Sequence, residues 1–139
     1  MSINGRWKLE MPEAQKARAL VVDDAGLVRA YYRDILERHG YHVEEALNGV
    51  EAMEKLLQAS FDFIILDVNM PRMDGITFLK TLRRQALPLA SIPAIVVSTE
   101  SETHDISDAR AAGANHYLIK PLREGSLVQY AALLSGKAA

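Results

Sequence analysis

The run Phe63-Ile64-Ile65-Leu66 ends in Asp67 and continues through Val68-Asn69-Met70-Pro71-Arg72-Met73 to Asp74-Gly75. An unbroken apolar run, rather than an alternating one, suits a strand covered on both faces, as in the interior of a parallel sheet. The carboxylate closes the run, so it stands where the strand leaves the core. That edge, at the carboxyl ends of the strands, is where open α/β sheets place their ligands. A parallel strand needs parallel neighbours, and those need crossover connections long enough to hold a helix.

The rest of the chain supplies them. Ala19-Leu20-Val21-Val22 is a short apolar strand that runs into Asp23-Asp24. Leu27, Tyr31, Ile35 and Val28, Tyr32, Leu36 then recur at helical spacing until Gly40, a natural stop. Tyr41 to Ala46 is half polar and suits a sheet edge. Asn48-Gly49 turns into a helix predicted to point Val50, Met53, Leu56 and Leu57 inward. After the central strand, Ile76, Phe78, Leu79 and Leu82 define a helix that has to end by Pro88. Ala94-Ile95-Val96-Val97 is a fourth buried strand leading to Ser98-Thr99. Glu102 to Ala112 is a polar helix, with Ile106 its only large apolar residue, closed by Gly113. Tyr117-Leu118-Ile119-Lys120 is the fifth strand, with Pro121 after it. The last helix carries Leu127, Val128, Tyr130, Ala131, Leu133 and Leu134. Alternating strands and helices predict an α/β domain with a parallel sheet, right-handed crossovers and helices on both faces.

Residues 1–17 precede this pattern. Trp7-Lys8-Leu9-Glu10-Met11 alternates apolar and charged residues until Pro12. It reads as a frayed tail, or as an arm packing on its own domain or on a second subunit through the chain's single Trp. The domain itself spans 18–139.

Composition excludes several classes. At 139 residues and 49% apolar, the chain is sized for one domain with a real core. A net charge of −2 offers no basic field, so no DNA partner is expected. There is no Cys, hence no disulfide framework and no thiolate metal site. No apolar run approaches the roughly 20 residues that span a bilayer. With no signal pattern either, the expectation is a cytoplasmic protein without membrane contact.

Parallel strands bring their carboxyl ends to one edge. That edge collects Asp23 and Asp24 from the first strand, Asp67 from the third, Ser98 and Thr99 from the fourth and Lys120 from the fifth. Carboxylates gathered in one crevice raise each other's pKa unless a cation neutralises them. Oxygen-only donors favour a hard divalent ion, best Mg2+. A lysine and a hydroxyl beside them complete a phosphoryl-binding set, and one carboxylate remains as nucleophile for an acyl phosphate. Asp67, at the end of the central strand, is the best candidate. Singly, an Asp-Asp pair is most simply a helix cap with a solvated neighbour, and a Lys-Pro a turn; their joint arrival in this order is what points to chemistry.

With these residues in view, the chain resembles the receiver domains of two-component response regulators, in the style of the single-domain, CheY-like chemotaxis type. The motifs Val22-Asp23-Asp24, Asp67 to Gly75, Ser98-Thr99-Glu100 and Lys120-Pro121 carry the likeness, over about residues 18–135. The resemblance implies a flavodoxin-like doubly wound (βα)5 fold with strand order 2-1-3-4-5. It implies Asp67 as phosphoacceptor. Asp23, Asp24, Asp67 and the Asn69 backbone carbonyl would hold Mg2+ (or Mn2+). Ser98 would be the switch hydroxyl, Lys120 the partner of a phosphoryl oxygen, and Tyr117 the aromatic switch. Asn69 and Glu100 would tune hydrolysis, here towards a short-lived phosphorylated state. The Lys120–Pro121 bond would be cis. The donor would be a sensor histidine kinase or a His-containing phosphotransfer protein, and the chain would not be a turnover enzyme. Departures from the common pattern are Ser98 for Thr, Thr99 where a small Ala is usual, and Gly26 in the first turn after the acids.

About 20 residues follow Lys120, so output is expected through a downstream protein target. A homodimer through the last helix (Leu127, Leu133, Leu134) or through the arm around Trp7 is a further expectation. Two alternatives stand beside an effector role: a phosphorelay intermediate or phosphate sink, and, remotely, a haloacid dehalogenase-type phosphatase. The latter needs an acid two residues after the nucleophile, where this chain has Asn69.

Overall fold

The computed structural model describes residue 12, residues 15–70 and residues 73–136. Trp7 and the rest of the arm's alternating stretch, as well as Pro71 and Arg72, lie outside the described residues. The element order is β1 (Arg18–Val22), α1 (Gly26–Arg38), β2 (His42–Ala46), α2 (Gly49–Gln58), β3 (Phe63–Asp67), α3 (Gly75–Arg83), a short 3-10 turn (Leu89–Ser91), β4 (Ala94–Ser98), α4 (Thr103–Ala112), β5 (His116–Ile119) and α5 (Glu124–Ser135). The strands form one sheet in the order β2-β1-β3-β4-β5, and every neighbouring pair is parallel. This is the doubly wound topology expected from the sequence. The chain reverses its direction of travel between β1 and β3, and the crevice above that reversal is open for a ligand.

Side chains alternate across the sheet as the pleat requires. Leu20, Val22, Ile64, Leu66, Ala94 and Val96 face a core layer completed by Ala52 and Leu56 of α2, Phe78, Leu79 and Leu82 of α3, and Ala109 and Ala112 of α4. Ala19, Val21, Phe63, Ile65, Ile95 and Val97 face the opposite layer, with Tyr32, Ile35 and Leu36 of α1 and Leu127 and Ala131 of α5. All five residues of β3 are buried, which is why its sequence shows no alternation. The polar character of α4 has a similar explanation: the residues it buries are Ala109 and Ala112. Alanines pack closely but give little apolar signal.

Helix starts are set by local chemistry. Asn48 Oδ1 accepts the Glu51 amide at 2.8 Å while Glu51 Oε1 accepts the Leu47 amide at 3.0 Å, a reciprocal cap. Asp74 Oδ1 caps α3 through the Thr77 amide at 2.9 Å. At α1 the N-cap residue Ala25 offers no side chain.

Two assignments are corrected, the inward turn of Leu57 and the contact residues of the last helix. Leu57 is 65% exposed, because the buried stripe of α2 runs through Gly49, Ala52 and Leu56 and leaves Leu57 a further 100° round the helix. Leu27 and Tyr31 lie outside the buried stripe of α1 for the same reason, which runs through Tyr32, Ile35 and Leu36. In α5, Leu127 is fully buried and Leu134 packs against the core, so of the three leucines named for a dimer only Leu133 faces outward.

Candidate functional site

Register places the site. Val22 pairs with Leu66, so Asp23 follows β1 at the level where Asp67 ends β3. Ser98 pairs with Ile119, so Lys120 follows β5 beside Thr99. Asp67 therefore ends a fully buried strand, Asp23 and Lys120 are the first residues beyond β1 and β5, and the sheet's own pairing sets the spacing. Asp23, Asp67 and Ser98 are buried, whereas Asp24 is exposed.

One carboxylate oxygen from each of Asp23, Asp24 and Asp67 lies within 4.8 Å of the others. Lys120 Nζ stands 3.4 Å from Asp23 Oδ2 and 3.4 Å from Asp67 Oδ1. Asp67 Oδ1 also accepts the Asn69 amide at 3.3 Å. Both bonds fall on Oδ1, so among the described residues Oδ2 takes no hydrogen bond. Asp23 Oδ1 accepts the Ala25 amide at 2.9 Å. The Lys120 amide donates to the Ser98 carbonyl at 2.8 Å, extending the β4–β5 ladder to the lysine, and the Lys120–Pro121 peptide is cis.

Electrostatics show what is unbalanced. Burial pushes the Asp67 carboxyl above its usual range, and the Asp23 charge adds to this; Lys120 and the Asn69 amide pull the other way without cancelling it. Burial, with the charges of Asp23 and Asp67, pushes the Tyr32 hydroxyl up to about 12. One ammonium thus faces a cluster of three carboxylates. The donor set fits a hard divalent cation: it is all oxygen, clustered closely enough to share one ion, and short of positive charge.

The remaining predicted residues spread around this centre. The Ser98 hydroxyl accepts the Glu100 amide at 3.0 Å. The Tyr117 hydroxyl donates to the Glu100 carbonyl at 2.8 Å, so the ring is tied to the β4–α4 loop rather than brought into the crevice. Asn69, Thr99 and Glu100 are exposed at the rim. Beside them a groove of about 510 Å3 runs between α1 and the connection from β5 to α5, with Leu27, Tyr31, Thr99, Lys120 and Leu122 in its wall. Sequence reasoning missed Arg29, whose guanidinium holds the Asp23 carbonyl. A lone Arg on a helix that follows two acids carries no mark that separates it from a solvated residue.

Fold and edge together define a doubly wound α/β protein with an acid-lined crevice at its topological reversal. Residues 19–132 match the response regulator receiver domain, and the chain belongs to that family. It is similar to the chemotaxis protein CheY of Bacillus subtilis (strain 168), 36% identical over 113 residues that cover 81% of this chain and 92% of that protein. The transcriptional regulatory protein ResD of the same organism is 34% identical over 118 residues, 85% of this chain but 48% of ResD. Among solved structures, the chemotaxis response regulator CheY4 of Vibrio cholerae matches with a TM-score of 0.81 at 35% identity, covering 86% of this chain and 99% of that one. The chain is thus a CheY-like receiver of two-component signalling, a class of signalling proteins rather than turnover enzymes. The phosphatase alternative is set aside on this membership. Among the described residues no helix is long and apolar enough to cross a membrane.

Proposed function

We propose that this chain is a response regulator that accepts a phosphoryl group on Asp67 from a phosphohistidine and signals by a conformational switch to a protein partner. The observation that carries this is the joint geometry of Asp67 and Lys120: the ammonium bonds Oδ1 and leaves Oδ2 free to attack. In the transfer, Asp67 Oδ2 forms a bond to phosphorus as the P–N bond to the donor's imidazole breaks. The electron pair stays on that ring nitrogen, and the imidazole leaves neutral when its other nitrogen carries the proton. Lys120 pairs with a phosphoryl oxygen as charge shifts onto the carboxylate side. Asp23, Asp24, Asp67 and the Asn69 carbonyl would hold Mg2+ (or Mn2+), which when bound neutralises phosphoryl charge.

The donor is a sensor histidine kinase or a His-containing phosphotransfer protein. The switch is a shift in population between two arrangements of the β4–α4 loop, biased by new bonds to the phosphoryl group. Ser98 leaves the Glu100 amide to make one of those bonds, and Tyr117 gives up the Glu100 carbonyl. Asn69 and Glu100 at the rim keep the phosphorylated state short-lived. Output is through protein contact, in keeping with a match that spans 92% of a chemotaxis protein. Leu133 is the exposed apolar residue that α5 offers to a partner or a second copy.

Phosphotransfer from candidate kinases to wild type and Asp67→Asn tests the reading. The expected result is label on wild type, dependent on added Mg2+, and none on the Asp67→Asn protein. Equal labelling of both proteins would sink it.

A further inference from the structure

The backbone of Asp23 is held on both its amide and its carbonyl. The Asp23 amide donates to the Ala46 carbonyl of β2 at 3.1 Å. The Asp23 carbonyl accepts Arg29 Nη1 at 2.8 Å. Its side chain accepts the Ala25 amide and Lys120, as described above. Asp24, in contrast, is exposed, and its side chain makes no hydrogen bond among the described residues. The peptide plane that joins Asp24 to Asp23 places the Asp24 Cα at the crevice, and Arg29 holds the oxygen of that plane.

Arg29 is itself fixed. It lies in the first turn and a half of α1, its side chain 19% exposed, and its Nε donates to Glu45 Oε1 at 3.0 Å. Glu45 sits on β2, paired with Val21 of β1, so the clamp is anchored in the same sheet that carries Asp23. The other oxygen of Glu45 takes Arg33 Nη1 at 2.7 Å. No hydrogen bond joins Arg29 to the carboxylate of Asp23, Asp24 or Asp67 among the described residues. The guanidinium thus contributes geometry to the crevice without occupying it, and Glu45 offsets its charge. A planar fork with donors in fixed directions suits this double task better than an ammonium. The N-cap residue Ala25 gives α1 no side-chain cap, so Arg29 shares the hold on the turn that presents Asp24 with the bond from the Ala25 amide to Asp23 Oδ1.

We propose that Arg29, held by Glu45, is a positioning residue that orients the Asp23–Asp24 peptide and so presets the crevice for a divalent cation. This rests on the reading of the crevice as a cation site. Groups that hold ligands from behind commonly change metal affinity by about 10- to 100-fold when removed.

Titration calorimetry with magnesium chloride tests it on the full chain. Arg29→Met, which keeps the aliphatic stem, is expected to weaken Mg2+ about tenfold. Arg29→Ala should do the same, so the result does not depend on one variant folding well. Arg29→Lys should recover part of the loss, since an ammonium can reach one of the two acceptors. Arg33→Ala, which removes the other bond to Glu45, should leave affinity within about twofold, as an exposed ion pair contributes little. In the metal-free proteins the Asp24 amide resonance should move in Arg29→Met and stay in place in Arg33→Ala. Unchanged Mg2+ affinity in folded Arg29→Met and Arg29→Ala, or equal weakening in Arg33→Ala, overturns the positioning role. Asp24→Asn separates the two levels. If wild type binds no Mg2+, or Asp24→Asn binds it as tightly, the crevice reading itself fails and this inference with it.

Discussion

The Lys120 ammonium stands at the same 3.4 Å from Asp23 Oδ2 and Asp67 Oδ1, and it is the only cation that either carboxylate pairs with among the described residues. A single charge bridges two buried acids that arrive from different strands. Lys120 is partly buried too, held at the end of β5 by the hydrogen bond its amide donates to the Ser98 carbonyl. The bridge is what lets Asp23 and Asp67 share a crevice, and it leaves the pair one positive charge short.

Removing it should therefore affect both charge and chemistry. In Lys120→Met the two contributions that lower the Asp67 carboxyl's affinity for a proton through this residue vanish, while burial and Asp23 remain. Its midpoint, followed by carbon-13 NMR in metal-free protein, should rise further. Phosphotransfer to Asp67 should slow by about 100-fold, the scale of losing one preorganised charge contact. A Lys120→Met protein that is labelled as fast as wild type would contradict the role given to the lysine.

Asp67 should also set how stability varies with pH when no metal is present. Its folded pKa lies above the unfolded one, burial being the main cause and Asp23 the next. The native state then holds this proton more tightly than the unfolded chain does. Stability from this group is greatest below the unfolded carboxylate range and falls as pH rises from there through the elevated folded value. Asp67→Asn should accordingly raise the melting temperature of chelator-treated protein at pH 7, with the gain gone below about pH 4. Adding Mg2+ at 100 times its Kd should stabilise wild type by about 2.7 kcal/mol and the Asp67→Asn protein by less.

Gly75 should tolerate no side chain. A Cβ there would overlap the Asp67 carbonyl oxygen and come within 2.9 Å of the Val68 Cα, both main-chain atoms that cannot swing aside. The Gly75 amide donates to the Val68 carbonyl at 2.9 Å, so the loop closes tightly behind Asp67. Gly75→Ala should cost about 2 kcal/mol, in the range of overpacking a filled site, and should displace Asp67. Denaturant unfolding and the labelling rate would show the two effects together.

How much of this was legible beforehand depends on the kind of force involved. β3 was legible because burial on both faces leaves a continuous apolar run, and the Asp23, Asp67, Lys120 cluster because parallel strands deliver their ends to one edge. The outward turn of Leu57 and Leu27 was not legible. Apolar residues adjacent to a buried stripe look like part of it, and the stripe's centre is set by where the sheet lies. Arg29 and Arg83 were invisible for a different reason: Arg29 holds the Asp23 carbonyl and Arg83 mostly main-chain carbonyls, which every residue possesses and no sequence displays. The resting position of Tyr117 likewise depends on the Glu100 carbonyl.

The Glu100 peptide links Ser98 and Tyr117, the two residues proposed to switch, and gives the next prediction. Ser98 Oγ accepts its amide at 3.0 Å, and its carbonyl accepts the Tyr117 hydroxyl at 2.8 Å. A hydroxyl drawn towards a phosphoryl group has to leave the amide, which loosens the loop that Tyr117 holds. Ser98→Ala should still be phosphorylated, but exchange of the Glu100 amide should become fast before phosphorylation and change little after it. Wild type should show the contrast that the variant lacks. An unchanged contrast in Ser98→Ala would separate the hydroxyl from the switch.

Arg83 bears on stability alone. From the last turn of α3 its guanidinium donates to the Gly113 carbonyl at 2.7 Å, the Ile92 carbonyl at 2.7 Å, the Ala90 carbonyl at 3.0 Å and Asn115 Oδ1 at 3.2 Å. Burial lowers its pKa, and no carboxylate pairs with it among the described residues, so these oxygens carry the whole compensation. They belong to the connection before β4 and to the end of α4, which Gly113 closes at a φ of 114°. A side chain at Gly113 would also strike Arg83, its Cβ falling 2.6 Å from Nε. Arg83→Met fills the volume but strands these acceptors, and should cost about 3 kcal/mol, two or more charge-assisted hydrogen bonds' worth. Because the site lies at the other ends of β3 and β4, Mg2+ affinity and labelling of the folded fraction should stay at wild-type levels. A loss of Mg2+ affinity in Arg83→Met would show that the clamp reaches the crevice through those strands.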